Sequence, residues 1–394
     1  MTDLTQSPTD PDFVQKPYPF YAAARARGDI HVWTNYGKPC AFSHAAVSAL
    51  LKDRRFGREV PAEMAQPAPA HLLPFDALER TSMLSLEPPS HTRLRGLVLR
   101  AFTSRRIAAM APEITQMSQA LVETFPAGEF DLIPAYCNRI PVLVICRLLG
   151  VPEDMADQLL AWSNAMVAMY QARRDRAVED AAATASTEFT AFMQGYVDER
   201  RARPADDLIT QLIQAEEAGE KLSTAELIGT CILLLNAGHE ATVHTMGNAV
   251  KLFLERGLPA QALSPDHIET TVEEVLRYDP PLHMFSRYAY EDVEAFGHSF
   301  KRGDEVGLLL ASANRDPSVW EDPETFDPTR PIKTNTSLGA GLHFCVGAPL
   351  ARLELQIALP ILFARHPGLR LTEPPRYANV YHFHGLERLM VRTG

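Results

Sequence analysis

The chain has 394 residues, 46% of them apolar, and carries 49 acidic against 38 basic side chains for a formal net charge of −11. That apolar share supports a substantial core, and the negative balance argues against nucleic acid or an anionic membrane as the main partner. Five scattered cysteines, an odd number with no C-x-x-C pair, fit a reducing compartment rather than a disulfide framework.

Taken in order, Met1 to Tyr18 is polar and proline-rich, with no signal pattern and no apolar run of about 20 residues, so a soluble cytoplasmic protein is expected. No linker rich in Gly, Ser or charge follows, which predicts one large domain over residues 19–394 behind a flexible lead over residues 1–18. Phe20 to Arg27 reads as a short helix ended by Gly28. Ile30 to Trp33 and Pro39 to Phe42 alternate as strands of a small sheet with Gly37 between them, and Ser43 caps a helix through Leu51. Pro61 to Ser85 shows no clean period and reads as a long irregular loop, either a lid or plain mobile surface. After Glu87-Pro-Pro a helix begins, on which His91 and Arg95 share a face; a solvated basic surface is the plain reading of that pair.

Residues Ser104 to Tyr170 and Ala177 to Arg203 carry helical patterning, broken at Gly150-Val-Pro152 and Pro204. Met166, Met169 and Tyr170 stand beside the charged run Arg173 to Arg176; such stripes are usually core. Ser223-Thr-Ala-Glu226 spells a capping box for a helix of about 30 residues, long enough at about 45 Å to cross a domain. In its middle, Asn236-Ala237-Gly238-His239-Glu240-Ala241-Thr242 places a carboxylate among apolar residues. An unsupported buried carboxylate is costly, so Glu240 lies at an edge or is functional. His239-Glu240 followed by His244 looks like a zinc-peptidase motif, but these histidines are five apart and point about 140° from one another. Ser264-Pro265 reads as the start of a further helix, on which Glu274 and Arg277 are three apart. Asp292 to Leu310 contains two strand-like runs around Lys301 to Asp304, and Val380 to Met390 reads as a hairpin turning at His384-Gly385.

The stretch Ser337-Leu-Gly-Ala-Gly-Leu-His-Phe-Cys345-Val-Gly-Ala-Pro-Leu-Ala-Arg352 organises the rest. Gly339 and Gly341 open a loop that bulky side chains could not form, and Gly347 follows the cysteine where backbone must approach something closely. Ala348 to Leu362 reads as a helix, so Cys345 precedes a helix N-terminus, where unpaired N–H groups favour a thiolate. A lone thiolate of this kind is a nucleophile with His343 as base, a zinc ligand, or the axial ligand of an iron porphyrin. No other cysteine lies near enough in sequence to complete a zinc site.

This segment resembles the haem-binding loop F-G-x-G-x-H-x-C-x-G of the cytochrome P450 monooxygenases, with Leu338 in place of the first aromatic. Glu87 to Arg95 resembles the family's D-P-P-x-H-x-x-x-R, and Glu274 and Arg277 resemble its E-x-x-R pair, which a later arginine, here Arg330, joins. Ala237, Gly238, Glu240 and Thr242 match A-G-x-[D/E]-T-T, with Ala241 where the first threonine belongs. The resemblance implies a single-domain, mainly α fold with a minor β region, a long central helix and a buried haem b. It implies Cys345 as the iron ligand in a loop that includes Gly347, and His91, Arg95, Arg287 and His343 as propionate partners. Glu240, Ala241 and Thr242 fall at the proton-delivery positions, and Ala237, Met284, Phe285 and Phe383 at substrate contacts, with the Trp162 to Arg176 region roofing the pocket. The implied activity is insertion of one oxygen atom from O2 into a small organic substrate by a monomer. Electrons would come from a separate ferredoxin or flavodoxin with its reductase, because no flavin or nicotinamide fingerprint follows. Ala241 leaves open a peroxide-driven or substrate-assisted variant, and a non-catalytic haem-binding sensor or carrier is the alternative of another class.

Overall fold

The helix that Ser223 opens runs unbroken from Thr224 to Arg256 in the computed structural model, which describes residues 3–171, 174–215, 221–258, 260–381 and 383–394. Both halves of the capping box form: Ser223 Oγ accepts from Glu226 N at 3.3 Å, and Glu226 Oε2 accepts from Ser223 N at 2.8 Å. Gly257, at φ 60°, ends the helix in the left-handed conformation that glycine adopts without strain. Its 33 residues span about 50 Å. Against it pack the helices Arg139–Leu149, Ala156–Val167, Arg176–Ala202 and Ala348–Arg365, and their apolar faces merge in one large core. The fold is mainly α.

The minor β region is a six-stranded sheet in the order Asp3–Leu4, Ile30–Trp33, Lys38–Ala41, Glu305–Leu309, Met284–Ala289, Phe56–Gly57. Small sheets elsewhere include Arg370–Leu371 and Glu129–Asp131 on either side of Met390–Arg392. The first strand corrects the expectation of a flexible lead. Asp3 and Leu4 pair in parallel with Val32 and Trp33, and Phe13, on a short helix capped by Asp10, is buried among Tyr21, Trp33 and Tyr381. An edge-to-face aromatic cluster holds the lead to the domain.

Three further expectations shift. The Pro61 to Ser85 stretch contains a helix, Leu73–Glu79, because Leu72, Phe75 and Leu78 fall three apart and bury together. The helix foreseen at Ser264 starts at Ile268; the Ser264 carbonyl instead accepts the N–H groups of His267 and Ile268 in a preceding turn. The C-terminal hairpin has arms at Arg376–Tyr377 and Leu386–Arg388, which lie too far apart in sequence for a turn of two residues at His384-Gly385. Arg173 lies outside the described residues. Among those described, no helix is long and apolar enough to cross a membrane.

Candidate active site

The cysteine loop is held from behind by Asn314, whose Oδ1 accepts from Thr336 N at 2.7 Å and whose Nδ2 bonds Ser337 Oγ at 2.6 Å. Gly339 and Gly341 take φ of 70° and 69°, and a Cβ on Gly341 would meet the Leu51 carbonyl oxygen at 2.6 Å. Gly347 takes an ordinary φ of −76°, and a Cβ there would meet Cys345 Sγ at 3.8 Å. Its N–H and that of Ala348 point at the sulfur. Burial pushes the Cys345 thiol up despite those donors and the charges of Arg95 and Arg352. A cation bonded to the sulfur is what would keep it a thiolate.

Beside the loop, basic groups converge. The His91 and His343 rings lie 4.4 Å apart, and His343 Nε2 is 2.9 Å from Glu87 Oε1. His91 is buried with its Nδ1 unpartnered, and burial, reinforced by the charges of His343 and Arg95, lowers its pKa to about 4. Arg287 is buried as well; desolvation, then the neighbouring Arg58, lower its pKa to about 10. Arg58 was not singled out from sequence. The sheet register that pairs Gly57 with Tyr288 is what sets Arg58 beside Arg287, over the Phe285 ring at 5.7 Å. Arg95 donates to the Phe344 carbonyl at 2.7 Å and faces an open depression of about 500 Å³ shared with Lys52, Arg54, Leu99, Gly341 and Leu342. Arg58 and Arg287 in such proximity repel each other, and the imidazoles beside them offer further donors, so the cluster fits a group that brings carboxylates between them, as a porphyrin with two propionates does.

On the central helix, Ala237 is exposed and Glu240, Ala241 and His244 are partly so, while Leu234, Leu235, His239, Thr242 and Val243 are buried. The accessible positions recur at helical spacing and mark one stripe along the helix. Thr242 lies off that stripe, and its Oγ1 donates to the Gly238 carbonyl at 3.1 Å. Of the expected substrate contacts, Phe383 stands 6.0 Å from the His244 ring and Phe285 packs on Gly339. Met284 instead belongs to the aromatic core of the sheet, packed with Cys40 against Gly307, because alternation along its strand turns it to the far face. Met166 touches the stripe through Asn236 Nδ2 at 3.6 Å. Tyr170 donates to Glu79 Oε1 at 2.8 Å, joining this region to the Leu73–Glu79 helix.

Glu274 and Arg277 form a double bond pair at 2.7 Å, with side chains 2% and 1% exposed. Arg330 approaches the same carboxylate at 3.3 Å, and the Asp327 N–H donates to it at 2.9 Å. Arg277 also donates to the carbonyls of Asn314, Pro323 and Thr325, which ties the helix to the segment leading into the cysteine loop.

A family model described as Cytochrome P450 matches residues 267–366. The polyketide biosynthesis cytochrome P450 PksS of Bacillus subtilis (strain 168) is 37% identical over 352 residues, which cover 87% of this chain and 86% of that protein. Vitamin D(3) 25-hydroxylase of Pseudonocardia autotrophica is 35% identical over 398 residues, 97% and 95% of the two chains. The solved structure of P450BioI in complex with hexadec-9Z-enoic acid ligated acyl carrier protein matches with a TM-score of 0.91 at 33% identity, covering 98% of this chain and 99% of that one. With this likeness over nearly its whole length, the chain belongs to the cytochrome P450 family and is a haem b-dependent monooxygenase.

Proposed function

We propose that Cys345 is the axial thiolate of the haem, and that His91, Arg95, Arg287 and His343, joined by Arg58, receive its propionates. The observation that carries this reading is the convergence of Arg58, Arg95 and the buried Arg287 with the His91 and His343 imidazoles beside the cysteine loop. Bound there, the haem supplies oxygen activation. The chain's residues bind and orient the substrate and manage protons. Ala237, Ala241, Phe285 and Phe383 border the substrate space, Glu240 is the carboxylate within it, and Thr242 holds the helix backbone beside it. One oxygen atom of O2 enters a small, largely apolar organic molecule held along the Ala237–His244 stripe. The chain acts as one haem domain that takes in the N-terminal lead, a cytoplasmic monomer with neither nucleic acid nor membrane as partner.

The electron donor is a ferredoxin or flavodoxin served by its reductase. Arg93, Arg106 and Arg352 are engaged by Glu226, Asp206 and Glu273. Lys52, Arg54 and Arg95, around exposed Leu99 and Phe344, form the better face for an acidic carrier. Ala241 favours a second reading within the same chemistry, in which the substrate brings its own hydroxyl, carbonyl or carboxylate, or peroxide replaces O2 and the donor. An acyl substrate, such as the similar structure holds on its carrier protein, would bring a carbonyl.

The test is spectroscopic and then catalytic. Reduced protein under carbon monoxide should show the strongly red-shifted Soret band of thiolate-ligated haem, and Cys345→Ser should abolish it; an unchanged spectrum removes Cys345 from the ligand role. Product formation with a ferredoxin system separates this enzyme from a non-catalytic haem carrier.

A further inference from the structure

His244 follows Glu240 by four residues, and its Nε2 lies 3.0 Å from Glu240 Oε1. Three residues past Ala241 and seven past Ala237, it belongs to the same accessible stripe. The hydroxyl absent at position 241 is not supplied by the neighbouring threonines. Thr242 Oγ1 donates to the Gly238 carbonyl at 3.1 Å and Thr245 Oγ1 to the Ala241 carbonyl at 2.7 Å, on a helix with no local unwinding. His239, the other imidazole near Glu240, is buried at 3.8 Å from it, and desolvation above all lowers its pKa to about 4, so it stays neutral. The His244 ring, by contrast, is wedged: a Cβ on Gly385 would lie 1.9 Å from its Nδ1, and the Phe383 ring stands on another side.

We propose that His244 is the positioning residue for proton delivery in this chain, aiming the Glu240 carboxylate into the substrate space and returning to it each proton that it gives up. The inference rests on the monooxygenase reading. The overall reaction, RH + O2 + two electrons + two protons → ROH + H2O, takes its electrons from the donor and needs both protons from the protein side. The Glu240 carboxylate takes a proton at Oε1 from His244 Nε2–H and passes it toward the substrate space, and the ring, 15% exposed, regains its proton from water. Burial by itself would hold the Glu240 carboxyl protonated; the bond and charge of His244, with a lesser part from His239, bring it below the usual carboxylate range. The titratable groups that face the imidazole are Glu240 and His239 on its own helix and His384 from the C-terminal turn, with Lys251 and Arg315 behind His384. Phe383 and Gly385 pack it without charge.

The experiment compares the haem-loaded wild type with His244→Gln, which keeps a donor to Glu240 but cannot pass a proton, and Gly385→Ala, which displaces the ring. Each receives the same substrate either with O2 and a ferredoxin system or with hydrogen peroxide, which brings its own electrons and protons. The ratio of donor-driven to peroxide-driven product should fall about tenfold in both variants, the modest end of what a positioned acid–base group contributes. The lost electrons should be recovered as hydrogen peroxide, and the pH dependence of the ratio between about pH 5 and 8 should flatten. A second readout is independent of turnover. In the diamagnetic ferrous carbon monoxide form, the histidine ring resonance absent from His244→Gln should shift in Glu240→Gln, because the partner 3.0 Å from Nε2 then carries no charge. An unchanged ratio in His244→Gln, or a ring resonance indifferent to Glu240→Gln, overturns the role of His244 alone. If the wild type forms no product by either route, the monooxygenase reading falls and this role falls with it.

Discussion

Replacing Glu274 by alanine should destabilise the protein more than any surface substitution could, because the carboxylate is the shared partner of two arginines in a dry site. Its side chain is 2% exposed, Arg277 is 1% exposed and Arg330 is 12% exposed. Removing the anion leaves the Arg277 guanidinium buried with only the carbonyls of Asn314, Pro323 and Thr325 as acceptors. Breaking a buried pair by deleting one partner costs about 3–5 kcal/mol, since the remaining charge is uncompensated. An unfolding entropy of about 2.1 cal/mol/K per residue, taken over 394 residues, is roughly 0.8 kcal/mol/K, so the midpoint should fall by about 4–6 °C. Thermal unfolding followed by circular dichroism and by loss of haem absorbance should show that drop, with lower haem occupancy, because Arg277 ties its helix to the segment that enters the cysteine loop. Glu274→Gln, which keeps hydrogen-bond acceptance but not charge, should fall between the two. A midpoint within 1 °C of wild type, with full haem loading, would refute the argument that this pair is an isolated buried charge set.

Ala241→Thr should raise product formed per NAD(P)H consumed with a purely apolar substrate and change little with a polar one; complete coupling of wild type on an apolar substrate would contradict the reading of Ala241. Reduction by an acidic ferredoxin should slow steeply with ionic strength, and Lys52→Glu with Arg54→Glu should remove most of that dependence; a rate insensitive to salt excludes this docking face. His384 is buried, stacked on Tyr377 at 3.6 Å, and desolvation, then the charges of Lys251 and Arg315, hold its pKa well below 6.5. The unfolded chain therefore binds a proton that the folded one refuses, so stability present above about pH 6.5 should fall as the pH drops below it, by at most about 1.4 kcal/mol per unit from this group. Denaturant titrations of wild type and His384→Phe between pH 7.5 and 5 should show a shallower acid loss in the variant; parallel curves would count against it.

Local chemistry carried much of this protein into view before any coordinates. A capping box is four residues of sequence, and it opens the central helix where the Ser223-Thr-Ala-Glu226 pattern places it. Two positive-φ glycines in a short loop are likewise a local constraint, and Gly339 and Gly341 take that conformation. The family followed from motifs whose spacing is local too. Packing across the chain was not legible. Arg58 joins Arg287 only because two strands more than 200 residues apart share a register, and no local period announces a partner at that distance. Met284 faces the core rather than the substrate because the strand's place in the sheet decides which alternate face is buried. The lead became part of the domain because Phe13 finds Trp33 and Tyr381, a contact set by where the chain's two ends are brought together. The Glu240–His244 pair was within reach of sequence, being four apart on a helix. That its ring is fixed against Gly385 depends on a turn 141 residues later in the chain, and only the tertiary structure brings that turn to the helix.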